Sequence, residues 1–356
     1  MGQKEKIQVK NIADLEVLLI NDIRIKYGIQ VLNIKKMELG TAKCYEINAD
    51  KKKYFVKIYQ KKHDCKQISR EIRICDYLKK RGMSVSEYIK NSEGNYINIQ
   101  EYGIFTVQNF IDGITYEKFH VPMNILYQSG EILAQIHDYL DKISTFNVDF
   151  SPEWIRKMAD GDENMIKLEG VIKSAEKMPD HQMKSIIIED CDWKLKMLPE
   201  LSKWKQNFGN LTRKNSHGDY NTYQWICEDN KIKAIIDFGS CSNVPVVWEL
   251  IRSYTYAVSE CAKGEKVDAA SYCNYLQYYL RNSTLSYDDL QRGFSFYYYT
   301  LLPSTFGYKQ YIEDYKKGQY NDLIEFALCR SRMCRYLYSH AEFLDEYVYK
   351  KIKMEL

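Results

Sequence analysis

The hydrophobic pattern of this 356-residue chain changes character once, between residues 108 and 114. Before that point, short runs rich in β-branched and aromatic residues alternate with turns, which predicts strands. After it, apolar residues recur every three or four positions, which predicts helices. The change therefore predicts an α+β chain with a small, antiparallel, β-rich N-terminal lobe and a larger, mainly helical C-terminal lobe.

The predicted organisation has two lobes, each long enough to bury a core of its own. We assign residues 1–108 to the N-terminal lobe, 109–114 to a hinge and 115–356 to the C-terminal lobe. The N-terminal lobe should begin with an amphipathic helix that stops at Gly28. Its predicted strands cover 31–34, 44–47 and 54–59 as a meander, and 95–99 with 104–108 as a hairpin.

Composition excludes several classes of protein. With 51 basic and 48 acidic residues the formal net charge is only +3, and no strongly basic stretch suggests a nucleic-acid partner. The ten cysteines form no Cys-x-x-Cys pair, which favours buried thiols in a reducing compartment over metal sites. Because no run of about eighteen apolar residues occurs, we expect a cytoplasmic protein with no membrane partner. Composition does not indicate the oligomeric state.

One short region concentrates the candidate catalytic side chains. His217-Gly218-Asp219 is followed five residues later by Gln224, and Asp237-Phe238-Gly239 closes a short apolar strand. Phosphoryl transfer needs one carboxylate to accept or orient a hydroxyl proton and another to hold Mg²⁺ against the nucleotide phosphates. The chain has neither a phosphate-binding P-loop motif nor a Gly-x-Gly-x-x-Gly fingerprint after a strand. The pattern therefore favours a kinase-like site.

A second pair of charged residues lies upstream. Lys57 interrupts an apolar strand, and Glu71 lies one turn from Ile68 and Cys75 on a predicted amphipathic helix. A strand lysine whose ammonium reaches solvent is the simpler interpretation of Lys57 alone. A helix glutamate that pairs with a strand lysine is, however, how kinase-like proteins hold the lysine against the α- and β-phosphates.

Taken in order, these features resemble the aminoglycoside phosphotransferase and choline kinase superfamily, whose members have a protein-kinase-like fold. The resemblance covers about residues 10–345. The N-terminal helix ending at Tyr27, the strand 54–57 and the helical C-terminus 336–349 look most like the spore-coat, CotS-like branch. The resemblance implies a cytoplasmic small-molecule kinase that uses ATP or GTP with Mg²⁺, or a spore-coat protein if the role is shared as well.

The resemblance also implies roles for individual residues. Asp219 would be the catalytic aspartate, and His217 would shape its loop. Asp237 and Gln224 would bind Mg²⁺. The nucleotide would be held by side-chain or backbone groups of Lys57, Glu71, Gly40, Asn109, Phe110 and Ile111.

Two positions depart from the usual pattern of the superfamily. Gln224 stands where asparagine is usual; it offers the same carbonyl oxygen on a stem one methylene longer. Glu249 stands where aspartate is commoner, and we expect it to anchor the catalytic loop rather than react. The substitution at position 224 supports an alternative hypothesis, a catalytically weak kinase-like binding protein or spore-coat structural protein.

The acceptor is the least determined part of the prediction. We expect a hydroxyl of an aminoglycoside, choline, a sugar or an amino alcohol. A protein acceptor is disfavoured, because Gly218 replaces the arginine of protein kinases and no Ala-Pro-Glu segment follows Asp237. The many late tyrosines could line an acceptor pocket, although filling helix interfaces is the more common use. The acidic run 189–192 is expected to be a solvated helix end, and His137 a packed histidine.

Overall fold

The computed structural model describes residues 12–37, 42–50, 52–61, 63–146, 161–204, 208–318 and 323–354. The chain forms two compact units. One runs to Ile114 and also includes Lys233–Gly239, and the other contains Thr115–Ile232 and Ser240–Leu356. The sequence pattern alone assigns residues 233–239 to the helical lobe. In the structure they join the first unit because Ile235 N–H donates to Ser84 O at 3.0 Å.

The first unit is a six-stranded antiparallel sheet with two helices. The elements are α1 Ile12–Tyr27, β1 Val31–Met37, β2 Lys43–Ala49, β3 Lys53–Ile58, α2 Cys65–Lys79, β4 Tyr88–Ile89, β5 Asn98–Gln100 and β6 Gly103–Asn109. The strand order is β1-β2-β3-β6-β4, with β5 paired to β6. The predicted meander and hairpin are confirmed.

The core of the first unit lies between α1 and one face of the sheet. On β2, Tyr45 and Ile47 are fully buried whereas Glu46 between them is not, as strand alternation requires. They pack with Leu19 of α1 and Val56 of β3. Helix α2 begins at an Asp64 capping box, in which the aspartate side chain accepts from the N–H of Gln67 at 2.8 Å.

The second unit is mainly helical. Its helices are α3 Met123–Leu140, α4 Gly161–Glu176, α5 Gln182–Trp204, α6 Val246–Ala257, α7 Ala269–Leu280, α8 Tyr287–Leu301, α9 Tyr308–Tyr315 and α10 Leu323–Lys353. Its short strands β7 Arg213–Ser216 and β10 Ser242–Pro245 pair antiparallel. The strands β8 Trp225–Glu228 and β9 Lys231–Ile235 follow the loop after β7, and within β9 the chain passes into the first unit. The predicted α+β composition is confirmed.

Aromatic side chains fill the helix interfaces of the second unit. Among the described residues after position 250, nine tyrosines are buried, namely Tyr254, Tyr256, Tyr272, Tyr275, Tyr279, Tyr297, Tyr298, Tyr299 and Tyr308. Helices α6 and α8 approach closely at Gly293, where an added Cβ would lie 3.1 Å from Ile251 Cδ1. The interpretation of the tyrosines as interface residues is therefore confirmed for these nine.

The expectation of a solvated acidic helix end at 189–192 is wrong for Asp190, although Glu189 and Asp192 are exposed. Helix α5 continues well past this run, so Asp190 lies in its interior and is buried. The carboxylate is 3.1 Å from Lys194 Nζ and 3.3 Å from Arg335 Nη2, and it accepts from the hydroxyls of Tyr308, at 2.9 Å, and Ser331. A buried charge needs such partners. Asp190 thus joins α5 to α9 and α10.

In the part of the chain that the structure describes, no helix combines the length and the apolar character that crossing a membrane requires.

A buried carboxylate between α8 and α10 makes the stability of this unit depend on pH. Asp345 is 3% exposed and accepts from Phe294 N–H at 2.7 Å, Ser295 N–H at 3.0 Å and Ser295 Oγ at 2.6 Å. Burial raises its pKa to about 7, although these hydrogen bonds oppose the shift. The folded protein therefore keeps a proton that the unfolded chain, with an ordinary aspartate pKa of about 4, has lost.

We predict that Asp345→Asn flattens the pH dependence of stability. Between about pH 4 and 7 the folded state binds more protons at Asp345, so the wild-type free energy of unfolding falls as pH rises, by up to about 1.4 kcal/mol per pH unit from this group. Urea denaturation at pH 5, 6 and 7.5 measures this slope. Glu346→Gln, an exposed neighbour on α10, is the control. Identical slopes for wild type and Asp345→Asn would contradict the assignment.

Candidate active site

The loop after β7 holds its shape through one glycine and one asparagine. Gly218 has φ +80°, and a Cβ there would overlap the carbonyl oxygen of Ser240. Only glycine fits such a backbone at this close approach. Asn221 then caps the short 3₁₀ turn Thr222–Gln224, and its side-chain oxygen accepts from Tyr223 N–H at 3.1 Å.

A buried carboxylate on α6 anchors this loop. Glu249 is fully buried, and its Oε1 accepts from Gly218 N–H at 2.6 Å and from Tyr220 N–H at 3.5 Å. Its Oε2 lies 3.1 Å from Nε2 of His137, which is also fully buried. Burial alone would raise the pKa of Glu249, but the hydrogen bond and charge of His137, with the Gly218 N–H, hold it below its usual value. Glu249 therefore anchors the loop, and His137 is packed beneath it.

Asp219 is the partly exposed carboxylate of the loop, with 34% of its side chain accessible. Its Oδ1 contacts the guanidinium of Arg252 and accepts from Asn221 Nδ2 at 3.2 Å, and its Oδ2 accepts from Gln224 Nε2 at 3.3 Å. His217 is buried, and its Nδ1 accepts from Asp219 N–H at 3.3 Å. The side-chain contacts fix the carboxylate from several sides, and His217 holds the backbone beside it.

The sequence pattern missed Arg252. It follows Glu249 by three residues, about one helical turn, so α6 presents both side chains to the same loop. Burial alone would lower the pKa of Arg252, but the Asp219 carboxylate and Tyr256 raise it above its usual value. That spacing from the loop anchor is the signal that could have identified it.

In the first unit, Lys57 lies between two carboxylates. Its Nζ is 2.7 Å from Asp237 Oδ1 and 3.4 Å from Glu71 Oε1. The Tyr59 hydroxyl donates to the other oxygen of Glu71 at 3.3 Å. Burial alone would lower the pKa of Lys57, but the charges of Glu71 and Asp237 raise it well above its usual value. The side chain therefore carries a permanent positive charge on β3.

The segment Asp237-Phe238-Gly239 has a strained and tightly packed backbone. Asp237 has φ +64°, a left-handed conformation that is uncommon for a residue with a side chain. Phe238 is fully buried, and a Cβ on Gly239 would lie 3.2 Å from Glu71 Oε2. Strain of this kind persists only where the surroundings impose it, and it is frequent at functional sites.

The remaining nucleotide-binding candidates lie at the end of β6. The N–H of Asn109 donates to Glu87 O at 2.9 Å, and that of Phe110 donates to Lys53 O at 3.2 Å. These two N–H groups are thus engaged within the first unit. Among the described residues, the buried Oδ1 of Asn109 has no hydrogen-bond partner. Gly40 lies outside the described residues.

We predict that Gly218→Ala destabilises the protein more than a glycine replacement that introduces only backbone strain. Gly94 provides the matched control, because it has φ +82° and no heavy atom within 4 Å of an added Cβ. Gly94→Ala should cost about 1–2 kcal/mol from its left-handed backbone. Gly218→Ala adds the overlap with Ser240 O and should cost at least twice as much. Urea denaturation measures both, and equal losses would contradict the packing argument.

Comparison with solved structures shows the fold. An amicoumacin kinase in complex with AMP-PNP, Ca²⁺ and Ami matches with a TM-score of 0.61 at 14% identity, over 94% of each chain. The microcompartment-associated aminopropanol kinase matches with a TM-score of 0.67 at 12% identity, over 92% of this chain and 98% of its own. The choline kinase LicA from Streptococcus pneumoniae matches with a TM-score of 0.54 at 17% identity, over 91% and 99%. The predicted protein-kinase-like fold is confirmed.

A comparison with curated protein sequences finds no significant match. The model of the phosphotransferase enzyme family, in contrast, matches residues 41–280, about two thirds of the chain. This match confirms the prediction of a phosphotransferase. The chain belongs to the phosphotransferase enzyme family.

Proposed function

We propose that the protein transfers the γ-phosphoryl group of ATP to a hydroxyl group of a small molecule, with Mg²⁺ as cofactor. The observation that carries the proposal is the geometry of Asp219. Its carboxylate is partly exposed, yet Arg252 and Gln224 hold both of its oxygens on a loop anchored by the buried Glu249. A phosphotransferase needs a carboxylate that is fixed in this way and still accessible to an acceptor.

In the proposed reaction, the acceptor hydroxyl oxygen forms a bond to the γ-phosphorus as the bond from that phosphorus to the β–γ bridging oxygen breaks. ADP leaves with the electron pair of the broken bond. Asp219 accepts the hydroxyl proton through a carboxylate oxygen and releases it to solvent afterwards. Arg252 restricts the rotation of the carboxylate, so the oxygen that faces the acceptor keeps its orientation.

The nucleotide would be bound by the first unit. Lys57 stays protonated between Glu71 and Asp237, so it can neutralise charge on the α- and β-phosphates. Glu71 is held by Tyr59 and keeps the ammonium oriented. The backbone N–H groups of Asn109 and Phe110 already donate within the first unit. The candidates for binding the adenine are therefore the backbone groups around Ile111 and the Oδ1 atom of Asn109, which has no partner among the described residues.

The residues proposed for Mg²⁺ carry the oxygen ligands that this ion prefers. The side chain of Asp237 is 43% exposed, so its carboxylate is accessible to a cation. Gln224 donates its amide N–H to Asp219, which leaves its carbonyl oxygen as the ligand atom. Bound Mg²⁺ would offset the negative charge that develops on the phosphate oxygens. The amicoumacin kinase structure, which contains AMP-PNP and Ca²⁺, supports a nucleotide and a divalent cation.

A place in the CotS-like branch is part of this proposal and rests on the sequence features of the N-terminal helix, β3 and the C-terminal helix. The alternative of a weakly active binding or spore-coat protein rests on Gln224. The contact between Gln224 and Asp219 argues against it, because the longer side chain still reaches the catalytic loop. Kinase neighbours that act on amino alcohols and choline support a small hydroxyl acceptor.

We predict that Asp219→Asn abolishes turnover and preserves nucleotide binding. The amide has the shape of the carboxylate but cannot accept the proton, so kcat should fall about 10²–10⁴-fold. ADP release in a screen of amino alcohols, sugars, aminoglycosides and hydroxy acids identifies an acceptor and measures turnover. Calorimetric titration with MgATP measures nucleotide affinity.

The control for this variant is Asp288→Asn, which also removes the carboxylate of an Asp–Arg pair, with Arg292 Nη2 at 3.5 Å, but on the surface of α8. It should leave turnover unchanged. An Asp219→Asn variant as active as the wild type would overturn the proposed role of Asp219.

We predict that Gln224→Ala raises the Mg²⁺ concentration needed for half-maximal activity about 10-fold or more, because a metal ligand is lost. Gln224→Asn keeps the carbonyl oxygen on a shorter side chain, so its half-maximal Mg²⁺ concentration should lie between those of the wild type and Gln224→Ala. Activity measured across a Mg²⁺ series distinguishes them, with the exposed Gln182→Ala as control. Unchanged Mg²⁺ dependence in Gln224→Ala would exclude Gln224 as a ligand. Tight MgATP binding by the wild type with no phosphoryl transfer would favour the binding-protein alternative.

A further inference from the structure

A continuous group of cations and aromatic rings lies within the second unit, and we name it the basic aromatic surface. Its members are Lys118, Tyr223, Arg252, Tyr256, Phe326 and Arg330. The Tyr256 ring centre is 5.6 Å from Lys118 Nζ and 5.1 Å from the guanidinium carbon of Arg252. The Phe326 ring centre is 3.5 Å from Lys118 Nζ and 5.9 Å from the guanidinium carbon of Arg330. Shared rings therefore connect the three cations.

This surface begins at the proposed catalytic carboxylate. Arg252 forms the ion pair with Asp219, and Tyr223, four residues after Asp219, lies 5.1 Å from Lys118 Nζ. A molecule whose hydroxyl contacts Asp219 would therefore have the rest of its atoms beside these rings and cations. The surface occupies a position from which it can select the acceptor.

Two donors of this surface are unsatisfied. Nη1 of Arg252 and Nε of Arg330 are buried and have no hydrogen-bond partner among the described residues. A buried donor without a partner is unfavourable, and more so when the group is charged. Guanidinium N–H groups can only donate, so the ligand that satisfies them must present oxygen acceptors. Carboxylate and phosphate groups do so with complementary charge and planar or tetrahedral geometry.

The position of Lys118 is imposed by the backbone around it. Phe119 has φ +68°, a left-handed conformation, and its N–H donates to Tyr256 O at 2.9 Å. Val121 N–H donates to Ala257 O at 3.2 Å. The segment is thus attached to the C-terminal end of α6, and this attachment holds Lys118 over the ring of Phe326.

Two carboxylates of this unit, Asp219 and Asp190, already have cationic partners. Asp219 is engaged by Arg252, and the buried Asp190 is engaged by Lys194 and Arg335. A polycationic acceptor such as an aminoglycoside would place ammonium groups close to the cationic side chains of this surface. Repulsion of this kind is costly where water is partly excluded.

We propose that the acceptor carries an anionic group, a carboxylate or a phosphate, next to a flat apolar portion. The anion pairs with Arg252, Arg330 and Lys118, and the apolar portion lies against Tyr223 and Phe326, the two half-buried rings of this surface. This inference rests on the proposed function, since it assigns the acceptor class of the same site. The reaction remains the transfer of the γ-phosphoryl group to the acceptor hydroxyl, with ADP and a proton released.

Three probes with the same hydroxymethyl-aryl core and different charge test the inference: 4-(hydroxymethyl)benzoate, 4-(hydroxymethyl)benzamide and 4-(hydroxymethyl)benzylamine. Their affinities for the full-length protein are measured by ligand-observed NMR, with and without MgATP. The benzoate should bind at least tenfold more tightly than the amide, and the benzylamine should bind most weakly. Equal affinities, a preference for the benzylamine, or no binding of the benzoate at millimolar concentration would overturn the proposal.

Substitutions in the basic aromatic surface test whether the preference for the benzoate arises there. Arg330→Gln and Lys118→Met should each reduce the preference for the benzoate about tenfold, and Arg330→Lys should restore part of it. Lys350→Met, which removes an exposed cation of α10, the helix that carries Arg330, is the control and should leave the preference for the benzoate unchanged. Thermal unfolding confirms that each variant is folded. An unchanged preference in both variants would contradict the assignment.

The same experiment separates acceptor recognition from nucleotide binding. If these cations served the ATP phosphates, Arg330→Gln and Lys118→Met would weaken MgATP binding, and MgATP would displace the benzoate. Either result would overturn the inference. Probe binding requires no chemistry, so the charge preference can fail while phosphoryl transfer persists, and the Asp219→Asn experiment tests the transfer separately.

Discussion

The arrangement of the loop that follows β7 depends on one buried ion, the Glu249 carboxylate. The Glu249 carboxylate, on α6, accepts from two backbone N–H groups of the loop and contacts His137 of α3. The loop, α3 and α6 therefore meet at this side chain. A buried carboxylate is tolerated only when its acceptor oxygens are satisfied, and here the partners that satisfy them are the loop itself. Correct packing of α6 therefore also fixes the shape of the loop, and Arg252, one turn further along α6, contacts Asp219.

The two units are stabilised by different means. In the first, a helix and a sheet exclude water from aliphatic and aromatic side chains such as Leu19, Tyr45 and Val56. In the second unit, buried carboxylates with several hydrogen-bond partners join helices whose other contacts are mainly between aromatic side chains. Asp190 connects α5 with α9 and α10, and Asp345 connects α8 with α10. A mispaired helix would leave one of these carboxylates buried without partners, which is costly.

Much of this structure could be predicted from local sequence. Alternation identifies β2 and β3, helical spacing identifies α2, and the residues around Asp219 and Asp237 identify the family. Asp190 shows where that reasoning fails: its acidic neighbours suggest solvent, whereas residues more than a hundred positions away bury and pair it. Arg252 and Lys118 escaped notice for the same reason, because their partners come from distant segments of the chain. Periodicity specifies which face of a helix is apolar, but it does not specify which polar groups meet between helices.

The contact between Lys57 and Asp237 has a thermodynamic consequence. Each side chain is the other's counterion, at 2.7 Å, and Asp237 is held there by a left-handed backbone. A cation that binds Asp237 removes a counterion from Lys57, and a phosphate that binds Lys57 releases Asp237. Under the proposed function, metal and nucleotide would therefore exchange partners with this pair, and each would increase the affinity of the other by the same factor.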